Sequence, residues 1–150
     1  DLTVPVVNAN RPRTPMHTVR IDYSKPWQHQ HWVAIMSAYR SSPYFDEIAE
    51  RLEPFYRGRY DNLVEYNLAL LRVLLDFMGH TAQLKTTTEY VTATAEDTDL
   101  RPKHRTTTFI TPHYFQLFSD RIPFAENLSI LDLIMSEGNY AAELIKTELK

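Results

Sequence analysis

The sequence predicts an α/β chain, a small mixed sheet of three to four strands packed with about five helices, with an α+β arrangement as the alternative. Three observations lead there. From Trp27 to Tyr39 the residues Trp27, His31, Ala34, Ile35 and Ala38 recur at i, i+4, i+7, i+8 and i+11, one face of a helix. His17 to Tyr23 alternates, with His17, Val19, Ile21 and Tyr23 opposed to Thr18, Arg20 and Asp22, as a half-buried strand does. Between Asp61 and Met78 the apolar residues cover more than one helical face, which predicts a central core helix with Leu71 and Leu74 among its least accessible side chains.

In chain order, Leu2 to Val7 reads as a short strand in which Pro5 indicates an edge position or a bulge, and its short loop predicts antiparallel pairing with His17 to Tyr23. Asn8 to Pro15, rich in proline and arginine, is the connecting loop. Ser24 and Pro26 supply a start for the first helix. Ser42 and Pro43 do the same for a second, with Asp46 and Glu47 in its first turn and Pro54 as its expected stop. Gly79 ends the Asp61 to Met78 helix. Threonine-rich Gln83 to Tyr90 predicts a third strand, Thr92 to Thr107 a polar loop, and Thr108 to Phe118 an aromatic segment extended as far as Pro112. Asn127 begins a helix through Glu137, stopped by Gly138, and Asn139 caps a last one to Leu149.

Composition narrows the function classes. With 150 residues and 43% hydrophobic content the chain can bury a core as one domain. The absence of cysteine excludes disulfides, thiolate metal sites and a cysteine nucleophile. A net charge of −3 lacks the basic footprint of a nucleic-acid binder, and pairs such as Arg11/Arg13 and Lys103/Arg105 fall in loops. The most apolar stretch, Leu68 to Met78, is interrupted by Arg72 and Asp76 and is too short to span a bilayer. The chain opens at Asp1 in a strand-like segment without a signal-peptide pattern, which predicts a portion upstream of it. Three glycines, Gly58, Gly79 and Gly138, exclude a phosphate-binding P-loop and a dinucleotide fingerprint within these residues.

His29 and His31 have metal-pair spacing for a strand, but a helix turns them to opposite sides, so no metal site is assigned. His31 alone, on the face of Trp27, is the candidate acid/base group, with a buried, hydrogen-bonded core histidine as the alternative. Ser129, Asp132 and Ser136 form a polar line at i, i+3 and i+7 on an otherwise aliphatic helix, facing either solvent or a cleft. Ser129 has no paired base that would make it a nucleophile. Tyr114-Phe-Gln116 suits either a small-molecule pocket or the core.

These residues resemble the WbqC-like proteins, a bacterial family associated with O-antigen and other surface-polysaccharide gene clusters, and the short members of Bacteroidetes-type bacteria in particular. The family pattern W-Q-x-x-H-W is matched by Trp27, Gln28, His31 and Trp32, and Y-x-Q-x-F by Tyr114, Gln116 and Phe118. The pattern N-L-S-I-x-D-L followed by glycine is matched by Asn127, Leu128, Ser129, Ile130, Asp132, Leu133 and Gly138. The resemblance implies a single domain over residues 1–150 that lacks the family's N-terminal strand and helix. It also implies cytoplasmic service in polysaccharide biosynthesis, with two readings of the chemistry. One is a transferase using an activated sugar or acyl donor; the other is a non-catalytic assembly or regulatory module. The expected partner is a small-molecule substrate, and the cofactor is left open. His31 and Asp132 are the catalytic candidates, and Trp27, Gln116, Asn127 and Ser129 the binding candidates; His31, Trp27, Gln116, Ser129 and Asp132 are expected to line one concavity.

Overall fold

The computed structural model describes residues 2–8, 14–94, 96–97, 99 and 111–147, and the regular structure within them is helical. Its elements are α1 (Trp27–Tyr39), α2 (Phe45–Arg57), α3 (Leu63–Phe77), α4 (Ile130–Glu137) and α5 (Ala141–Thr147), with 3-10 turns at Met16–Thr18 and Gly138–Tyr140. No strand or sheet occurs among the described residues, which overturns both the α/β expectation of three to four strands and its α+β alternative.

Pairing is reduced to two isolated antiparallel bridges, Val6 with Ile21 and Arg20 with Asn62. The Val7 N–H donates to the Arg20 carbonyl and the Asp22 N–H to that of Pro5, both at 2.9 Å. The two N-terminal segments are therefore neighbours, as the short loop requires, but Pro5 has no N–H with which to extend a ladder. Upstream of the bridge, the Thr18 hydroxyl donates to the Pro15 carbonyl at 2.8 Å and the chain tightens into a 3-10 turn, removing His17 and Thr18 from the alternation. In 83–90 the threonines are exposed and only Leu84 is partly covered. Strand propensity reflects a fit to a half-buried pleated surface, and here no such surface meets them. Of Thr108 to Phe118, the first three residues lie outside the described ones, and 111–116 carry no regular structure.

Helix limits follow local chemistry more closely. The Asn62 side-chain oxygen accepts from the N–H groups of Val64 and Glu65 at 2.8 and 3.2 Å, capping α3, and Gly79 leaves that helix with φ 66°. α4 starts later than Asn127, which itself has φ 55°; its cap is Ser129, whose hydroxyl accepts from the Leu131 N–H at 3.3 Å. Ser24 and Ser42 do not cap. The Ser24 N–H donates to the Asp22 carboxylate, and the Ser42 hydroxyl donates to the Tyr39 carbonyl at the end of α1. α2 continues past Pro54 to Arg57, because that proline's carbonyl still accepts from the Gly58 N–H at 2.8 Å and closes a last turn. The last helix begins after the Gly138–Tyr140 turn and not at Asn139, and residues 148–150 lie outside the described ones.

α1, α2 and α3 pack in succession, and α4 and α5 meet around Gly138. The main core joins Ile35, Ile48, Leu52, Leu74 and Phe77 of the first three helices to Leu133, Ile134 and Met135 of α4. A smaller core gathers Ile21, Trp27, Phe55 and Tyr66. The centre therefore lies at α4, where Asp132 through Ser136 are all buried, and not at α3, whose Leu71 is 40% exposed. The wide apolar surface of α3 is divided between the two cores and solvent, so only Tyr66, Leu74 and Phe77 are fully covered. Gly138 adopts φ 60°, and a Cβ there would stand 2.5 Å from the Tyr44 ring, so glycine alone lets that ring close over the α4–α5 junction.

Candidate functional site

Helix α1 carries candidate residues into both cores. Toward its start, Trp27 is packed by His31 at 5.1 Å, Tyr66 at 5.8 Å and Tyr23 at 5.7 Å between ring centres. Its indole nitrogen is buried without a hydrogen-bond acceptor among the described residues, enclosed by these rings. Gln28, next along the helix, donates to the carbonyls of Phe55 at 2.9 Å and Gly58 at 2.6 Å, fastening α1 to the end of α2. His31 is 7% exposed, lies 6.5 Å from the Tyr56 ring and hydrogen-bonds the backbone of Thr3.

Burial lowers the His31 pKa below its ordinary value, outweighing the Thr3 bond that favours the charged ring. The folded chain thus binds this proton less readily than the unfolded chain. Its contribution to stability is present above the unfolded value of about 6.5 and is lost as pH falls from there toward the folded value. Thermal unfolding is expected to show the melting temperature falling through that window, with His31→Gln flattening the fall. An unchanged slope in the variant would show that His31 is solvated.

Two turns farther on, α1 brings Tyr39 to the second group. The Tyr114 hydroxyl donates to the Asp132 carboxylate at 2.8 Å, and the same carboxylate acts on the Tyr39 hydroxyl through its charge and a hydrogen bond. The Gln116 amide nitrogen donates to the Ala125 carbonyl at 2.8 Å and the Tyr114 hydroxyl at 3.3 Å, while its oxygen accepts from the Ala125 N–H at 2.9 Å. Burial, with added effect from Asp132, pushes the Tyr114 phenol up to about 12. Burial followed by the Asp132 charge raises Tyr39 as well. Both phenols keep their protons near neutral pH, so they serve as donors to a fixed acceptor.

The structure therefore brings Gln116 and Asp132 together through Tyr114 and places Trp27 and His31 in the other core. His31 and Tyr39 are eight residues apart on α1, about 12 Å along its axis. Tyr56 packs against both cores, but no hydrogen bond or ring contact among the described residues links His31 to Gln116 or Asp132. Asp132 faces neither solvent nor an open cleft; it is buried against the two phenols. Ser129 is the exposed cap of α4, and the exposed Asn127 receives the Thr111 hydroxyl oxygen at its N–H, 3.3 Å away. Among the described residues no group of three or more histidines and carboxylates is placed to hold a metal ion.

Beside the Tyr114 network is a cleft of about 560 Å³, walled by Tyr114, Phe115, Phe124, Glu137, Tyr140 and Leu144. His113 stacks on Phe124 at 4.4 Å, and Phe124 meets Tyr114 edge-on at 5.6 Å. The network thus fixes one wall, because Tyr114 presents its ring to this cleft and its hydroxyl to Asp132. The Tyr114-Phe-Gln116 segment suits either a pocket or the core in the sequence, and the structure puts Tyr114 and Phe115 in the cleft wall and Gln116 among the buried residues. Glu137 and Tyr140 were not recognisable in the sequence, since they stand at a helix end with no periodic or motif signal.

The sequence profile of the WbqC-like protein family matches residues 1–113. The matched residues include α1, α2 and α3 and stop just before Tyr114, so Gln116, Asn127, Ser129 and Asp132 lie beyond them. No curated protein and no solved structure matches the chain.

Proposed function

We propose, from the premise that the chain belongs to the WbqC-like protein family, that it binds a small molecule in the cleft beside Tyr114 in the service of bacterial O-antigen or surface-polysaccharide biosynthesis. The pathway and a cytoplasmic location rest on the resemblance of the tryptophan-histidine and late motifs to those of proteins associated with such gene clusters. The observation that carries the binding reading is the commitment of the polar groups: Asp132 to Tyr114 and Tyr39, Gln116 to Ala125 and Tyr114, and His31 to Thr3. Each is occupied inside the fold: Asp132 and Gln116 brace the Tyr114 wall, and His31 lies in the other core against Trp27, away from the cleft.

A transferase acting on an activated sugar or acyl donor would need His31 or Asp132 at the substrate, and their burial supports the non-catalytic reading better. Calorimetric titration of the chain with N-acetylglucosamine, uridine diphosphate N-acetylglucosamine and acetyl-coenzyme A tests this. Saturable binding of one of them is expected, weakened by Phe115→Ala, retained in His31→Gln, and without consumption of the donor. Binding of none of the three, or donor turnover abolished by His31→Gln or Asp132→Asn in a folded variant, would overturn the proposal.

A further inference from the structure

The geometry points to a ligand that carries an ammonium group on a ring or other apolar body, seated in the Tyr114 cleft with its charge against Glu137. This rests on the reading of that cleft as the binding site. Glu137 is the one carboxylate among the described residues that wall it, it is half-buried, and no described side chain pairs with it. Among the described residues that wall the cleft His113 is the one basic side chain, and it stacks on Phe124 at 4.4 Å; Arg121 pairs with Asp120 at 3.1 Å and Lys146 with Glu143 at 2.9 Å. A half-buried carboxylate without a partner favours a cation and repels an anion.

The rest of the wall suits the same chemistry. Phe115 and Tyr140 are 58% and 57% exposed at the cleft, and Tyr114 and Phe124 lie deeper. Aromatic faces carry the negative side of a quadrupole, so they attract a positive group as well as an apolar ring. Neutral aromatic ligands would use the rings but leave Glu137 uncompensated. A phosphate or carboxylate group placed at Glu137 would be repelled, so a phosphate-bearing ligand would have to hold that group away from this carboxylate.

Calorimetry with benzylamine, benzyl alcohol and benzoate separates these terms, because the three share a ring and differ in charge. Benzylamine is expected to bind about 2- to 30-fold more tightly than benzyl alcohol, the range of a cation over aromatic faces, with benzoate weakest. Glu137→Gln should reduce the preference for the amine to what the aromatic faces alone supply while sparing the alcohol, and Tyr140→Ala, at an exposed position, should weaken both. Equal binding of amine and alcohol, or a preference unchanged by Glu137→Gln, overturns the ammonium inference and leaves the cleft as a site. Failure of all three compounds to bind overturns the inference and counts against the cleft itself.

Discussion

Replacing Asp132 with alanine is expected to destabilise the chain by about 2–6 kcal/mol, because it removes the acceptor that faces two neutral, buried phenols. The variant would leave the Tyr114 and Tyr39 hydroxyls facing a cavity. An unsatisfied buried hydroxyl costs about 1–3 kcal/mol, so two of them account for a loss of that size. The effect should extend to Gln116, whose amide touches the Tyr114 hydroxyl, and through it to the Ala125 backbone. Asp132→Asn keeps an acceptor in place and should cost less. Chemical denaturation of both variants measures this directly; a loss below about 1 kcal/mol for Asp132→Ala would mean that the carboxylate is hydrated and the network weak.

The second large effect is expected in the same helix. Ile134 is 0% exposed in the main core, and Ile134→Ala should cost about 2–5 kcal/mol, the lost transfer energy plus the cavity left behind. Leu71→Ala, on the outer side of α3, should cost less than about 1 kcal/mol because little surface is recovered from water. Comparable denaturation midpoints for the two variants would return the centre of the core to α3.

That contrast shows which parts of the fold the sequence makes legible. Helices announced themselves through short-range chemistry: Gly79 and Gly138 as left-handed exits, and the 3.6-residue period of Trp27–Tyr39, whose limits the structure reproduces. Burial rank did not, since α3 and α4 are both apolar, and which of them is enclosed depends on elements far away in sequence. The sheet expectation failed for the same reason. Alternation in 17–23 and in 83–90 gives a strand's side-chain pattern, but a strand also needs a partner backbone, and among the described residues only single bridges form.

The site was legible in a similar, partial way. Gln116 and Asp132 stood out as polar residues amid apolar ones, and the structure joins them. Their joining is through Tyr114, a contact across 18 residues for Asp132, which no local period reveals. His31 was correctly placed on the Trp27 face, yet its hydrogen-bond partner is the backbone of Thr3, in a different segment. A shared concavity for His31 and Asp132 required the two ends of α1 to converge, and a straight helix keeps them about two turns apart.

A map of backbone amide shifts in the chain saturated with benzylamine tests the Tyr114 cleft as the binding site most directly. The shifts are expected to concentrate at Phe115, Glu137 and Tyr140 and to leave Trp27, His31 and Tyr56 unmoved. Shifts centred on Trp27, His31 and Tyr56 would contradict this, placing the binding site in the smaller core and returning His31 to the ligand.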